Sequence, residues 1–270
     1  MNMQNWPKRD DAWIRAIIVS PRVHPTTGRS CEHVLVSADY GQIEPRVIAM
    51  ESKDKALVKS FWDRHDIHLD WAERIAKVDP KAYRARGSGI KRLRQDVKSN
   101  WVLAGFYGAL WRSIQRRLGL SNKCEALFEE FRDTFPGVWA WQRTQTKFYN
   151  RHGYVVGLTG RRRHAPLSVN QLLNNPTQGV ASDIVVDAMN RLSIRADRED
   201  EPAFQAVLNI HDDLSFYVPK KRQEELTAEI VREMLTPKFP WVNVPLSVEV
   251  SAGSNWADLE KVDVFFSDDL

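Results

Sequence analysis

Apolar and polar positions alternate over a few short stretches and recur at spacings of three and four over most of the remaining chain. Alternation marks residues 34–40 (VLVSADY) and 245–250 (PLSVEV) as strands. Two further strand-like runs flank His211-Asp212-Asp213 within residues 207–218 (VLNIHDDLSFYV) and read as an antiparallel hairpin. Helical spacing covers residues 54–76 and 90–118, parted at Gly87-Ser88-Gly89. It returns over residues 121–135 and 138–151, on either side of Pro136-Gly137, and over 175–195, with Pro176 early. Helices thus lie between the first strand and the hairpin. The expected class is α+β, an antiparallel sheet with flanking helices and a helical insertion.

The hairpin poses a chemical question. Adjacent acids in so apolar a stretch repel each other and are costly to bury. A solvated turn offsets that cost, and so does a bound divalent cation; the stretch alone leaves both open.

Composition narrows the class. With 270 residues, 43% hydrophobic content and ten Trp, the chain can bury a sizeable core, as one large domain or two small ones. No apolar run approaches the ~18 residues of a membrane span, and MNMQNWPKRDD has no apolar signal core. Cys31 and Cys124 are the only cysteines, which disfavours a disulfide framework or a cysteine zinc site and fits a reducing cytoplasm. Residues 84–117 hold nine Lys/Arg against one acid, Asp96, an excess twice the net +4 of the whole chain. Arg161, Arg162 and Arg163 form a second basic knot, whereas residues 258–270 carry five acids and one Lys. Such a basic stretch suits polyanions, and equally a solvated helix face.

Three constellations carry chemistry. In SADYGQIEPRV a strand delivers Asp39 at its end, followed by Gln42, Glu44 and Arg46. Asp39 there suits either a helix cap or a Mg²⁺ ligand. In RQDVKSNWVLAGFYG, Arg94 and Lys98 are four apart and share a helix face, which Trp101, Val102, Gly105 and Phe106 continue. Cations followed by aromatics suit a nucleoside triphosphate, and also an amphipathic helix with a basic rim. In the hairpin turn, Asp212 adds a second acid from a distant strand. Paired carboxylates of this kind bridge two metals in in-line phosphoryl transfer.

In this order the three segments resemble motifs A, B and C of family A DNA polymerases, usually DYSQIELR, RxxxKxxxFxxxYG and VHDEL. Weaker echoes stand in the right places. MQNWPKR resembles the LQNIPIR segment, and Asp66 to His68 (DIH) a fingers motif. GLTGRRR and NNPTQGVASDIV resemble segments between motifs B and C, and PLSVEVSAGSNW the closing strand. The resemblance spans nearly the whole chain.

It implies an antiparallel palm sheet with a helical fingers insertion: palm over residues 1–52 and 151–270, fingers over 53–150. It implies that Asp39 and Asp212 hold two Mg²⁺ ions, or Mn²⁺, with the Tyr40 carbonyl and Asp213 as further ligands. Arg94 and Lys98 would bind the triphosphate, Lys98 also acting in catalysis, with His68 and Gln42 nearby. Glu44 would be the steric gate against a ribose 2′-OH, and Phe106 or Tyr107 would stack at the insertion site. Gln178 and His211 would face the primer terminus or minor groove. Gln4, Asn5, Arg46 and Arg161 would contact DNA. Primer–template DNA and dNTPs are the implied partners.

Four positions depart from the family pattern. Gly41 replaces Ser and Pro45 replaces Leu, and Pro45 is expected in the first turn of the helix after Asp39. Asp213 replaces Glu, shortening its reach. Motif B is one residue longer than usual: Tyr107 stands nine positions after Lys98, half a turn off on a regular helix. Helix geometry favours Phe106, the Tyr-Gly pair favours Tyr107, and a helical bulge would reconcile them.

The match begins just upstream of motif A, so neither the family's thumb nor its 3′–5′ exonuclease-like domain is expected here. The expectation is a split polymerase of bacteriophage type whose second polypeptide supplies the thumb and proofreading. Two other readings use the same acids: an inactive DNA-binding or scaffold palm, and a two-metal nuclease. RNA-templated synthesis also fits these motifs.

Overall fold

The computed structural model describes residues 12–23, 32–80 and 89–270. Gln4, Asn5 and the MQNWPKR segment lie outside the described residues. The chain divides into two compact units. One comprises the described residues up to Ile43 together with 181–270, and the other the described residues of 44–180.

The first unit is built on a five-stranded antiparallel sheet. β1 (His33–Tyr40) is central, with β5 (Asp213–Pro219) and β4 (Ala206–Ile210) on one side and β6 (Ser247–Gly253) and β7 (Glu260–Phe266) on the other. The α+β expectation is met. Val36, Ala38 and Tyr40 of β1, Leu214, Phe216 and Val218 of β5, and Val248 and Val250 of β6 are all buried. Cross-strand pairing sets them side by side on one face, as the period of two requires. The helix Gln223–Leu235 packs against β1, β5 and β6 and buries Leu226, Ile230 and Met234. The Tyr40 hydroxyl donates to the Met234 carbonyl at 2.6 Å, so this buried phenol tethers β1 to the helix end. The other face carries Asp39, Asp213, Ser37 and Ser215 toward the β4–β5 turn, and Tyr217 beside the buried Leu35 further along.

In the second unit, α1 (Ile43–Ser52) follows β1 almost at once, and Pro45 falls in its first turn as expected. The predicted helix over 54–76 is two helices, α2 (Lys55–Trp62) and α3 (Ile67–Val78), each capped by an aspartate, Asp54 and Asp66. The predicted helix over 90–118 is also interrupted. It runs as α4 (Gly89–Val97), a π turn (Lys98–Val102) and α5 (Leu103–Phe106), and resumes as α6 (Trp111–Leu118). α7 (Cys124–Thr134) and α8 (Pro136–His152) follow. A hairpin of β2 (Tyr154–Val156) and β3 (Arg162–His164) leads to α9 (Val169–Glu199), of which the residues up to Val180 belong to this unit and the rest to the first. α9 starts six residues before the predicted 175, and Pro176 lies inside it.

Much of the tryptophan and phenylalanine of this unit forms one cluster. Trp71, Trp101, Phe106, Phe128, Phe131, Phe135 and Trp139 meet at ring separations of 4.8–6.4 Å. Gly105 is required there, because a Cβ would stand 2.8 Å from the Phe131 ring.

Asp54 ties two helices together. Its carboxylate accepts the Leu57 amide at 2.9 Å, capping α2, and the Gly137 amide at 2.6 Å, at the start of α8. It is 3% exposed. Asp54→Ala is therefore expected to cost about 3 kcal/mol, the cap plus a buried amide left unpaired. A urea melt checks this, and a change under ~1 kcal/mol would contradict it.

Candidate functional site

The functional residues of the first unit collect at one end of the sheet. β4 and β5 are joined by two residues, His211 and Asp212, with His211 in the left-handed region at φ 59°. Register sets Asp39 of β1 opposite Asp213 on one side and opposite Glu249 of β6 on the other. The Tyr40 amide donates to the Asp212 carbonyl at 3.1 Å, fastening the turn to the end of β1. Two motifs 173 residues apart thus become neighbours through one backbone hydrogen bond.

Asp39 is the exposed exception in an otherwise buried strand end, and Asp212 is half-buried. Asp213 is held: its two oxygens accept from the Ser37 hydroxyl at 2.5 Å and the Ser215 hydroxyl at 3.1 Å. His211 is exposed in the turn. Gln42, at φ 52°, has its side-chain oxygen buried without a hydrogen-bond partner. Gly41 suits its place, since a Cβ there would stand 2.4 Å from the Ser247 hydroxyl oxygen.

Among the described residues no group of three or more His, Cys, Asp or Glu could hold a metal. What the turn offers is two aspartates and backbone carbonyls. That set of hard oxygen donors fits Mg²⁺, which takes one or two carboxylates and keeps its remaining ligands as water and phosphate.

The candidate phosphate-binding cations, Arg94 and Lys98, belong to the second unit. Asp66 caps α3 through the His68 and Leu69 amides, both at 3.1 Å, and its other oxygen takes the Arg94 Nε at 2.6 Å. One aspartate therefore starts a helix and aims a guanidinium from α4. Lys98, half-buried, opens the π turn, whose Leu103 amide donates to the Lys98 carbonyl. That bond is i to i+5 and absorbs one extra residue. The bulge considered from the sequence is thus present. It lies between Lys98 and both aromatic candidates.

Beyond the bulge Phe106 is wholly buried and stacked on Phe131 at 5.2 Å. The Tyr107 hydroxyl donates to Glu44 Oε2 at 2.5 Å, and Gln178 donates to Glu44 Oε1 at 3.4 Å. Burial first, then the Glu44 charge, push the Tyr107 phenol well above its ordinary range. Glu44, Tyr107 and Gln178 therefore form one cluster. Arg46 points inward, 3% exposed with its guanidinium 4.6 Å over the Phe61 ring. Arg161 is exposed beside the β2–β3 hairpin.

His68 is 0% exposed, and neither ring nitrogen has a hydrogen-bond partner. Burial pulls its pKa from 6.5 to about 3; Asp66 opposes this, and Lys98 and Arg94 add to it. Between these values the unfolded chain binds a proton that the folded chain refuses. Stability is then full above pH ~6.5 and falls as pH drops toward ~3, by up to ~1.4 kcal/mol per unit. His68→Leu should flatten the dependence of the urea midpoint on pH across that window. An unchanged slope would contradict the assignment.

Sequence reading missed Ser37 and Ser215 as partners of Asp213, and Glu249 as a cross-strand neighbour of Asp39. Period-two alternation within the quoted strands is the signal that could have found them.

The DNA polymerase family A sequence model matches residues 1–258. The chain is 33% identical over 241 residues to the thermostable DNA polymerase I of Thermus filiformis, covering 84% of this chain and 27% of that protein. It is 30% identical over 235 residues to DNA polymerase I of Chloroflexus aurantiacus, covering 83% of this chain and 24% of the relative. The POL domain of Pol1 from M. smegmatis, solved in complex with DNA primer–template and dNTP, superposes with a TM-score of 0.76 at 28% identity, covering 95% of this chain and 44% of that one. The chain spans about a quarter of the length of these curated relatives. With the family model matched along almost its full length, and with the motif A and motif C strands paired in one antiparallel sheet, the chain belongs to DNA polymerase family A.

Proposed function

We propose that this chain is the palm and fingers of a template-directed DNA polymerase, adding deoxynucleotides to a primer 3′-OH. The palm comprises residues 1–52 and 151–270, and the fingers 53–150. The observation that carries the reading is the bond from the Tyr40 amide to the Asp212 carbonyl, which sets the motif C acid beside the end of the motif A strand. The neighbouring polymerase domain, solved with primer–template and dNTP, supports the substrate class.

Asp39, Asp212 and the Tyr40 carbonyl would hold two divalent ions, and the hardness of these donors suits Mg²⁺. Bound there, such ions would supply charge stabilisation to the oxygens of an in-line displacement. Arg94, aimed by Asp66, grips the triphosphate through its planar fork, and Lys98 meets it as a point charge and stabilises the departing diphosphate. Tyr107 closes the insertion site, because the π turn carries it onto Glu44 while Phe106 turns into the core. Glu44, held by Tyr107 and Gln178, is then fixed where it crowds a 2′-OH. His211 and the exposed Arg161 face DNA.

Primer extension tests this. A labelled primer–template with four dNTPs and Mg²⁺ should yield longer primers. Shortened primers would point to a nuclease. A folded protein that binds the duplex and leaves the primer unchanged would overturn the proposal.

A further inference from the structure

We propose that the end of α8 and the β2–β3 hairpin form a docking surface for single-stranded DNA, on which a row of rings stacks against bases and flanking cations take phosphates. The surface lies wholly within the second unit and goes beyond the polymerase reading.

Residues 134–182 hold six Lys/Arg and no Asp or Glu. All six cations are exposed. Arg143, Lys147 and Arg151 recur every fourth residue and form one stripe along α8. Arg162 and Arg163 stand on β3. A cationic surface with no acid in its own stretch of chain attracts a polyanion.

Rings run beside the cations. Phe148 and His152 lie one turn apart on α8, with centroids 4.4 Å apart. Gly153, at φ 73°, ends the helix and turns the chain into β2. Tyr154 then stands 5.4 Å from Phe148, and its cross-strand partner His164 stands 5.5 Å from Tyr154. Arg162, on the same face of the hairpin, places its guanidinium 4.9 Å over the Tyr154 ring. His152 and His164 are exposed, and Phe148 and Tyr154 half-buried.

The row is fixed in place. The Ala165 amide donates to the Gly153 carbonyl at 2.8 Å, the Leu167 amide donates to the Tyr149 hydroxyl at 2.8 Å, and Val155 is buried beneath the hairpin. Rings already ordered lose little entropy when a ligand stacks on them. A merely solvated basic face needs no such row. Cations tracking a backbone beside aromatic platforms are what an unpaired strand requires, since a duplex keeps its base faces covered. A chain of a DNA polymerase family meets that strand as template.

The test uses the whole chain and labelled oligo(dT). Photo-crosslinking with 5-iodouracil in the strand, mapped by mass spectrometry, should mark peptides within the α8 end and the hairpin. By anisotropy, oligo(dT) should bind about tenfold more tightly than an abasic strand of the same length. His152→Ala/His164→Ala should remove most of that preference, and both imidazoles are exposed, so the fold is kept. Arg151→Gln/Arg163→Gln should keep the preference and lower the slope of log affinity against log salt by about 1.4. Crosslinks confined to other segments, or a preference unchanged in the folded histidine variant, overturn the inference. Equal affinity for oligo(dT), the abasic strand and poly-glutamate makes the patch a plain charge surface and overturns it too. Extension by one nucleotide on a duplex with a short overhang should be the same in the wild type and both variants, which keeps this test separate from that of the polymerase reading.

Discussion

Asp212→Asn should lower the single-turnover rate of primer extension by at least ~1,000-fold and leave the melting temperature almost unchanged. The asymmetry comes from how Asp212 is used. Its backbone carbonyl accepts the Tyr40 amide, and Asn keeps that carbonyl. Its side chain is half-buried at a sheet end, so swapping one oxygen for an amide nitrogen costs under ~1 kcal/mol of stability. What Asn loses is the charge that holds a divalent ion, and the amide nitrogen is not a ligand for a hard cation. Asp39→Asn should behave alike, since Asp39 is the exposed residue of its strand end. Quench-flow extension beside a thermal melt separates the two effects. A loss smaller than tenfold with either variant would remove these aspartates from the chemistry.

Lys98→Ala should act on the nucleotide. The lysine stands at the first position of the π turn, one helical turn after Arg94, on a helix that Asp66 anchors by capping α3 and gripping the Arg94 guanidinium at once. Removing the ammonium takes away a point charge meant for a tetra-anionic ligand, whose neighbouring cations then carry it alone. The expected result is a rise of about tenfold or more in the KM for dNTP, together with a fall of about 100-fold in kcat, and little change in duplex affinity. Lys98→Arg should recover part of the KM and less of the rate, because the guanidinium keeps charge but not shape. An effect on duplex binding alone, with dNTP kinetics intact, would move Lys98 to a DNA-contacting role.

The element types were largely legible from the chain, because periodicity is a local property. Residues 34–40 alternate and form a strand, and the two runs around His211-Asp212 pair through a two-residue turn. Boundaries were less legible where tertiary packing intervened. The helix read from 175 begins at Val169 and passes through Pro176, since surrounding contacts outweigh the local preference against proline. The long helix read over 90–118 breaks after Phe106, and nothing in its apolar spacing marks that stop.

By itself the sequence determined which residue types stand on each element: acids at the end of one strand and in one hairpin turn, cations four apart on one helix. Tertiary structure decided their directions. A single residue of helical phase, taken up by the π turn at Lys98, separates Phe106 in the aromatic core from Tyr107 on Glu44. A single residue of strand phase sends Ser37 and Asp39 to one face of the sheet and Ala38 and Tyr40 to the face packed on the helix Gln223–Leu235. Periodicity along the chain gives the repeat of a pattern but not its partner.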